Sequence, residues 1–158
     1  MSVALASSLE VGQAAPEFTL SNQFGEKVSL ADFRGEKNVV LMFYPFAFTG
    51  TCTGELCAIR DQYVDFANDD TVVLSVSCDS PYTLKVFGEQ EGLTHSLLSD
   101  FWPHGEVSKA YGVFLEEKGF PIRGTFIIDK EGVIRWSVVN GPGEARDSAD
   151  YKAALAAL

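Results

Sequence analysis

Hydrophobic and polar positions divide the chain into alternating strand-like and helix-like segments. Residues 38–45 (NVVLMFYP) and 71–79 (TVVLSVSCD) are almost continuously apolar and rich in β-branched residues, which is typical of strands covered on both faces. Between them, apolar residues recur at helical spacing from Leu56 to Phe66, which predicts an amphipathic helix over 52–67. The pattern therefore places a helix between two buried strands.

Turn and cap residues define the elements on either side of this unit. Residues 21–35 (SNQFGEKVSLADFRG) predict a β-hairpin turned at Gly25. After the second buried strand, Ser80 is placed to cap a helix that has proline as its first residue and stops at Gly92. A short strand or loop and a short helix are expected to follow.

The C-terminal part predicts a second hairpin and a final helix. Residues 123–139 contain two apolar, β-rich runs turned at 129–132, and residues 147–158 predict a helix with Ala and Leu on its inner face. Alternation of strands and helices indicates an α/β fold with a central mixed β-sheet flanked by helices. The hairpin followed by a helix is also the second half of a thioredoxin-like fold. We expect a single domain over residues 1–158.

Composition narrows the class of function. The net charge is −10 and no basic cluster offsets it, so we expect no nucleic-acid partner. No apolar run has the length of a membrane span, and the N-terminus lacks the basic-then-apolar pattern of a signal peptide. Three cysteines in a chain of this size favour a reducing, cytoplasmic location, and they favour reactive thiols over structural disulfide bonds.

Cys52 lies at the predicted junction of a buried strand with its loop and a helix. Free N–H groups and the positive end of the helix dipole lie at such a junction, and both stabilise a thiolate. A thiolate among hydrogen-bond donors is suited to attack a weak oxygen–oxygen bond, because the donors stabilise charge on the leaving oxygen. The position therefore suits a nucleophilic cysteine, although a free cysteine is more often a small buried apolar residue.

The segment 45–52, PFAFTGTC, matches the Pro-x-x-x-Thr-x-x-Cys signature of peroxiredoxins. VGQAAPEFTL, LLSDFWPHGEVSKAYGVF and RGTFIIDKEGVIR are also similar to peroxiredoxin segments in the expected order, over essentially the whole chain. FAFTG, LLSDFWPHG and PGEARD most resemble the alkyl hydroperoxide reductase E type of actinobacteria. The resemblance implies a thioredoxin-like fold with an N-terminal β-hairpin extension. It also implies a thiol-dependent peroxidase acting on hydrogen peroxide or organic hydroperoxides, with peroxynitrite as a further candidate substrate.

The resemblance also implies roles for individual residues. Cys52 would be the peroxidatic cysteine, oxidised to a sulfenic acid as the peroxide is cleaved. The Thr49 hydroxyl would hydrogen-bond the peroxide, and Pro45 would shield the sulfur from bulk water. Arg123 would stabilise the thiolate and bind the peroxide oxygens, and Glu55 would orient this arginine. No cofactor and no metal are implied.

The remaining candidates are treated separately from this set. Arg146, in the segment GEARD, is a candidate for a second arginine near the site. Cys78, at the end of a β-rich run, is expected to be a buried core thiol. His95 and His104 are expected to be packing or surface residues rather than catalytic bases.

Cys57 raises the question of which thiol resolves the sulfenic acid. The alkyl hydroperoxide reductase E type resembles one-cysteine enzymes, whereas the Cys52-x4-Cys57 spacing matches the resolving cysteine of the bacterioferritin-comigratory-protein (Q-type) peroxiredoxins. In an intact helix, residues i and i+5 have Cα atoms roughly 8.6 Å apart, and a disulfide needs Cα atoms closer than about 7 Å. We therefore expect Cys57 to resolve Cys52 only after the first helical turn unwinds, which Gly54 would ease. Cys78 is a less favoured resolver, and the alternative is an external thiol.

The resemblance implies partners, and one function from another class stays open. It implies a hydroperoxide substrate, a homodimer with FWPHG as a candidate interface element, and a thiol reductant. This would be a thioredoxin-, mycoredoxin- or glutaredoxin-like protein, or a low-molecular-weight thiol. A thiol–disulfide oxidoreductase would require Cys-x-x-Cys, which Cys52-x-x-Glu55 is not. A peroxide-sensing interaction protein is the alternative from another class, and turnover distinguishes it from a peroxidase.

Overall fold

A mixed β-sheet forms the centre of the molecule in the computed structural model, which describes residues 9–62 and 70–158. The strands are β1 Thr19–Ser21, β2 Lys27–Ser29, β3 Asn38–Phe43, β4 Thr71–Ser77, β5 Ser96–Ser99, β6 Phe114–Leu115, β7 Phe120–Pro121, β8 Arg123–Ile128 and β9 Ile134–Asn140. The α-helices are α1 Gly50–Asp61, α2 Pro81–Glu91, α3 Glu106–Ala110 and α4 Ser148–Ala156, and a 3-10 helix covers Leu30–Phe33. No helix within the described ranges is long and apolar enough to cross a membrane.

The sheet order confirms the predicted mixed topology. Within the described residues seven strands pair in the order β2-β1-β5-β4-β3-β8-β9, and β6 pairs with β7 separately. Strand β3 is parallel to β4 and antiparallel to β8, and β8 forms the predicted hairpin with β9. The N-terminal hairpin β1–β2 joins the sheet through β5, with Gly25 in its turn at a φ of 78°.

Alternation along β3 divides the core between the two faces of the sheet. Val39, Leu41 and Phe43 belong to a core cluster shared with the N-terminal segment and α3. Val40 and Met42 belong to a second cluster shared with α1, α2 and α4. Because side chains of a strand point to opposite faces in turn, a continuously apolar strand has to be covered on both sides. This confirms that β3 is a central strand and places α1 against it.

The helix boundaries differ in part from the predicted ones. Helix α1 begins at Gly50 with Thr49 as its N-cap, two residues before the predicted start, and is described to Asp61. The rest of the predicted helix 52–67, with Tyr63 and Phe66, lies outside the described residues. Because α1 starts early, Cys52 is the third residue of the helix rather than its first.

The other helix ends follow the local signals. Ser80 Oγ accepts a hydrogen bond from Thr83 N, and α2 ends at Gly92 in the left-handed conformation with a φ of 68°. In α4 the buried residue is Tyr151, with Ala154 and Leu155 partly buried beside it. The inner face predicted from Ala and Leu is therefore centred on an aromatic ring, because burying that ring removes more apolar surface from water.

Candidate active site

Cys52 lies at the N-terminal end of α1 beneath the loop that leaves β3. The side chain is 0 % exposed, and the thiol is free, as are those of Cys57 and Cys78. The first intrahelical bond here runs from Thr53 N to Thr49 O at 2.8 Å, and N–H groups before such a bond have no intrahelical acceptor. The dipole and these N–H groups therefore favour a negative sulfur at this position.

The loop 44–49 connects β3 to α1, and its Tyr44 and Ala47 belong to the same core cluster as Cys52. Pro45 is buried, and Thr49 is exposed with its hydroxyl donating to Phe46 O at 3.1 Å rather than capping the helix. Phe48 has a φ of 70°, in the left-handed region that non-glycine residues occupy only at a cost in free energy. The loop is therefore a turn held in an unfavourable conformation by the structure around it.

Glu55 connects the active-site helix to two arginines. Arg123 Nη1 donates to Glu55 Oε1 at 2.7 Å. Arg146 donates from its backbone N and from Nε to Glu55 Oε2 at 2.6 and 2.9 Å, and from Nη2 to Glu55 Oε1 at 2.8 Å. All three side chains are at most 4 % exposed. The group thus forms a buried cluster of two guanidiniums and one carboxylate. Its formal charge is positive, which suits a site for a thiolate.

The two arginines are fixed by further acceptors. Arg123 Nε donates to Pro142 O at 2.7 Å. Arg146 Nη1 donates to the carbonyl oxygens of Phe43 and Gly124 and to Thr125 Oγ1. Buried charges are stable only when they are paired and hydrogen-bonded, and these acceptors meet that requirement.

The electrostatics of the cluster follow from burial and pairing. Burial alone would raise the pKa of Glu55, but the hydrogen bonds and charge of Arg146, with the charge of Arg123, hold the pKa below its ordinary value. Burial opposes the charge of Arg146, yet Glu55 raises its pKa, and the negative form of Cys52 adds to that rise. The pKa of Tyr44 is raised by burial, with the charges of Asp79 and Cys52 contributing. Glu55 is therefore ionised at neutral pH and stays paired with both guanidiniums.

The structure brings together Glu55 and Arg123 as the resemblance implied, and it adds Arg146 at the centre of the cluster. Arg146 and Glu55 are separated by 91 positions in the sequence, so no local pattern could join them. The segment GEARD was the one available signal. The predicted strand 71–79 includes Asp79, whereas β4 ends at Ser77, so Asp79 lies in the connection that follows the strand.

The other cysteines occupy different environments. Cys57 is half-buried, with Sγ donating to Glu91 Oε1 at 3.5 Å, and burial followed by Glu91 raises its pKa. Cys78 is buried, and burial, with the charge of Asp100, raises its pKa to about 12. A thiol with such a pKa is protonated at neutral pH, which agrees with the expectation of a core residue.

The histidines lie outside the cysteine site. His95 is buried with Nε2 3.0 Å from Ser75 Oγ, and burial lowers its pKa to about 4. His104 is exposed with Nε2 2.7 Å from Gly119 O. Among the described residues, no group of three or more His, Cys, Asp or Glu side chains is arranged to hold a metal ion.

Helices on both sides of a mixed sheet, with a buried cysteine in the first turn of a helix whose Glu55 pairs with two buried arginines, fit a thiol-dependent peroxidase of thioredoxin-like architecture. The AhpC/TSA family model matches residues 11–137, and the chain belongs to this family, whose members use a hydroperoxide substrate and a thiol reductant.

Individual relatives agree with this assignment. The chain is 51 % identical to alkyl hydroperoxide reductase E of Mycobacterium tuberculosis over 150 residues, covering 95 % of this chain and 98 % of that protein. It is 38 % identical to the chloroplastic 2-Cys peroxiredoxin BAS1 of Spinacia oleracea over 158 residues, covering 94 % of this chain and 59 % of that protein. The crystal structure of peroxidoxin BcpB from Mycobacterium tuberculosis superposes with a TM-score of 0.84 at 30 % identity, covering 95 % of this chain and 98 % of that one. These comparisons confirm the thioredoxin-like peroxiredoxin fold and the peroxidase activity.

Proposed function

We propose that Cys52 is the residue that reduces the hydroperoxide. The Cys52 thiolate attacks one peroxide oxygen, the oxygen–oxygen bond breaks, and the sulfur becomes a sulfenic acid. The leaving alkoxide or hydroxide takes up a proton and departs as an alcohol or water. The observation that carries the proposal is the position of this buried sulfur in the first turn of α1, three residues before the Glu55 carboxylate that pairs with two buried guanidiniums.

The surrounding residues have distinct proposed roles. Thr49 donates its own hydroxyl hydrogen to Phe46 O, so its oxygen lone pairs can accept the hydrogen of the peroxide. Pro45 excludes water from the sulfur. Arg123 binds the peroxide oxygens and, with Arg146, stabilises the thiolate, and Glu55 holds both guanidiniums in place.

We propose further that Cys57 resolves the sulfenic acid after local unwinding. Both cysteines belong to the continuous helix α1, and Cys57 contacts Glu91 of α2. The four hydrogen bonds of Glu55 fix α1 three residues after Cys52, so the unwinding is confined to residues 50–54. An extended chain spans about 3.3–3.6 Å per residue, so the unwound residues 52–54 are long enough to bring Cys52 to Cys57 while Glu55 stays in place. Cys57 then displaces water from the sulfenic acid and forms a disulfide.

An external thiol is the second candidate for this step. The Glu91 contact and the raised pKa of Cys57 favour it, because both keep Cys57 protonated in the folded helix. In that cycle the external thiol forms a mixed disulfide with Cys52 and releases water. In either cycle a thioredoxin-, mycoredoxin- or glutaredoxin-like protein, or a low-molecular-weight thiol, returns the enzyme to the thiol state. The name of the relative, alkyl hydroperoxide reductase E, favours organic hydroperoxides as substrates.

The assembly and location are part of the same proposal. Phe101 and Trp102 of FWPHG are 51 % and 80 % exposed, which supports a homodimer formed through this loop. Sedimentation of Trp102→Ala as a monomer, beside a dimeric wild type, would support it, and equal masses would not. We propose a reducing cytoplasm as the location of the enzyme, because its nucleophilic chemistry requires a free thiol. We propose a single domain, because seven of the described strands share one sheet.

Turnover with single-cysteine variants tests the peroxidase assignment. Wild type and Cys78→Ser are expected to consume many equivalents of hydroperoxide with a thiol reductant, whereas Cys52→Ser is expected to consume none. One oxidation event per chain, with no further turnover, would instead favour the peroxide-sensing interaction protein. Full activity in Cys52→Ser would contradict the assigned nucleophile.

Intact mass after one equivalent of peroxide tests the resolving step. A loss of two hydrogens in wild type that is absent in Cys57→Ser supports the disulfide. Accumulated sulfenic acid in both proteins would leave the external thiol as the resolver.

In a parallel test of the arginine, Arg123→Met is expected to slow both oxidation and alkylation of Cys52. An unchanged pH profile of alkylation would count against its role.

A further inference from the structure

The loop 44–49 is tied to the connection between β4 and α2 by an acidic side chain. Asp79 Oδ2, in the connection between β4 and α2, accepts a hydrogen bond from the backbone N of Ala47 at 2.9 Å. Ala47 is buried and lies midway between Pro45 and Thr49. The bond therefore joins the centre of the loop to a part of the fold 32 positions away in sequence.

The acidic side chain is itself held in a fixed orientation. Ser77 Oγ donates to the same Asp79 Oδ2 at 2.7 Å, and Ser99 Oγ donates to Asp79 O at 2.6 Å. Ser80, the next residue, caps α2. A side chain anchored at both its carboxylate and its backbone can impose its position on the loop.

The loop has a reason to need this anchor. Phe48 directly follows Ala47 and has a φ of 70°, which a phenylalanine adopts only when its surroundings hold it there. A charged acceptor forms a hydrogen bond roughly twice as strong as a neutral one. The Asp79 carboxylate therefore offsets part of the conformational cost of the loop.

We propose that Asp79 is a positioning residue that keeps the loop 44–49 in the arrangement that receives the hydroperoxide. The inference rests on the proposed role of Cys52 as the peroxide-reactive thiol. Cys52 is 0 % exposed and shares a core cluster with Tyr44 and Ala47 of this loop, so the position of the loop affects both the contacts offered to a peroxide and access to the sulfur. Release of Asp79 from Ala47 N would also accompany unwinding of the first turn of α1.

Two reactions of the same sulfur separate this role from a general effect on stability. Hydrogen peroxide reacts fast only when oriented by the loop, whereas iodoacetamide needs only an accessible thiolate. In Asp79→Ala we expect the second-order rate constant for Cys52 oxidation to fall about tenfold to a hundredfold, the effect of losing one charge-assisted hydrogen bond. Alkylation at the same pH is expected to be equal to wild type or faster.

Matched variants complete the experiment. Asp79→Asn keeps a neutral acceptor and is expected to lose only about twofold to fivefold in the oxidation rate, because neutral hydrogen bonds are weaker. Glu89→Ala removes one negative charge from an exposed position on α2 and should leave both rates unchanged. Rates are measured by rapid mixing and mass spectrometry without denaturant, at a pH where circular dichroism shows that every variant is folded.

An oxidation rate in Asp79→Ala equal to wild type would overturn the inference, as would equal losses in oxidation and alkylation. If the alanine variant does not fold, Asp79→Asn decides, and an unchanged oxidation rate in it overturns the inference. Failure of the proposed function has a separate signature, since Cys52→Ser would then retain peroxidase activity while wild-type Cys52 stays reduced.

Discussion

Replacing Gly54 by alanine tests the proposed unwinding of α1 at the point where it has to occur. Gly54 lies between Cys52 and the fixed Glu55, and it is exposed. A Cβ added there would meet no atom within 4 Å, and the backbone of Gly54 is not in the left-handed region. Alanine therefore fits the folded helix without displacing a neighbour, and its effect is confined to helix propensity.

The magnitude follows from that propensity. Alanine stabilises a helix interior by about 1 kcal/mol relative to glycine. Residue 54 is helical in the peroxide-reactive form and non-helical in the form that makes the Cys52–Cys57 bond. The population of the unwound form should therefore fall about fivefold, because 1.4 kcal/mol corresponds to tenfold.

The assay is rapid mixing with one equivalent of hydrogen peroxide, followed by acid quench and intact mass at a series of times. Oxidation of Cys52 is expected at the wild-type rate, and disulfide formation about fivefold more slowly. Ala58→Gly makes the reverse exchange in the same helix, beyond Glu55. It should lower the free energy of unfolding by a similar amount without accelerating disulfide formation.

Two results would refute the reasoning. Equal rates of disulfide formation in wild type and Gly54→Ala would show that residue 54 does not change conformation before the bond forms. Faster disulfide formation in Ala58→Gly would show that the unwinding passes beyond Glu55, so the arginine pairs do not confine it.

Three further predictions concern the groups around the site and in the core. Burial, followed by the carboxylate of Glu91, raises the pKa of Cys57. Glu91→Gln should therefore speed disulfide formation and shift its pH profile to lower pH, and an identical quenched-flow profile would contradict this. Glu55→Gln leaves two buried guanidiniums without their carboxylate, so the free energy of unfolding in urea should fall by about 3–5 kcal/mol. Exposed Glu89→Gln should change it by about 0.5 kcal/mol or less, and a similar small loss in both would argue against the ion pairs. Burial lowers the pKa of His95 to about 4, so the unfolded chain takes up this proton first as the pH falls. The stability that the neutral, buried imidazole contributes is fully present above pH 6.5. It falls by at most about 3 kcal/mol as the pH drops toward 4. His95→Gln should lose less stability than wild type between pH 7 and 4.5, and equal losses in urea titrations would exclude this role.

Local signals were sufficient for most of the secondary structure. The continuous apolar run of β3, the turn at 129–132 between β8 and β9, and the Ser80 cap with its stop at Gly92 all agree with the structure. Each of these depends on residues within a few positions of one another, where side-chain periodicity and turn chemistry act directly. The PFAFTGTC segment pointed to the nucleophile for the same reason.

Contacts between distant segments depended on the tertiary structure. Glu55 and Arg146 meet across 91 positions because α1 packs against β3 and β8, where Arg146 donates to the carbonyl oxygens of Phe43 and Gly124. Ala47 meets Asp79 across 32 positions because β3 pairs with β4.

By itself, the sequence determined that a reactive cysteine stands where a buried strand and its loop give way to a helix, because the alternation of elements and the spacing of 45–52 are local properties. The tertiary structure decided which charges surround that cysteine, what holds the loop over it, and that Cys57 contacts α2. Packing between segments that are far apart in sequence sets these contacts, so no local pattern along the chain predicts them.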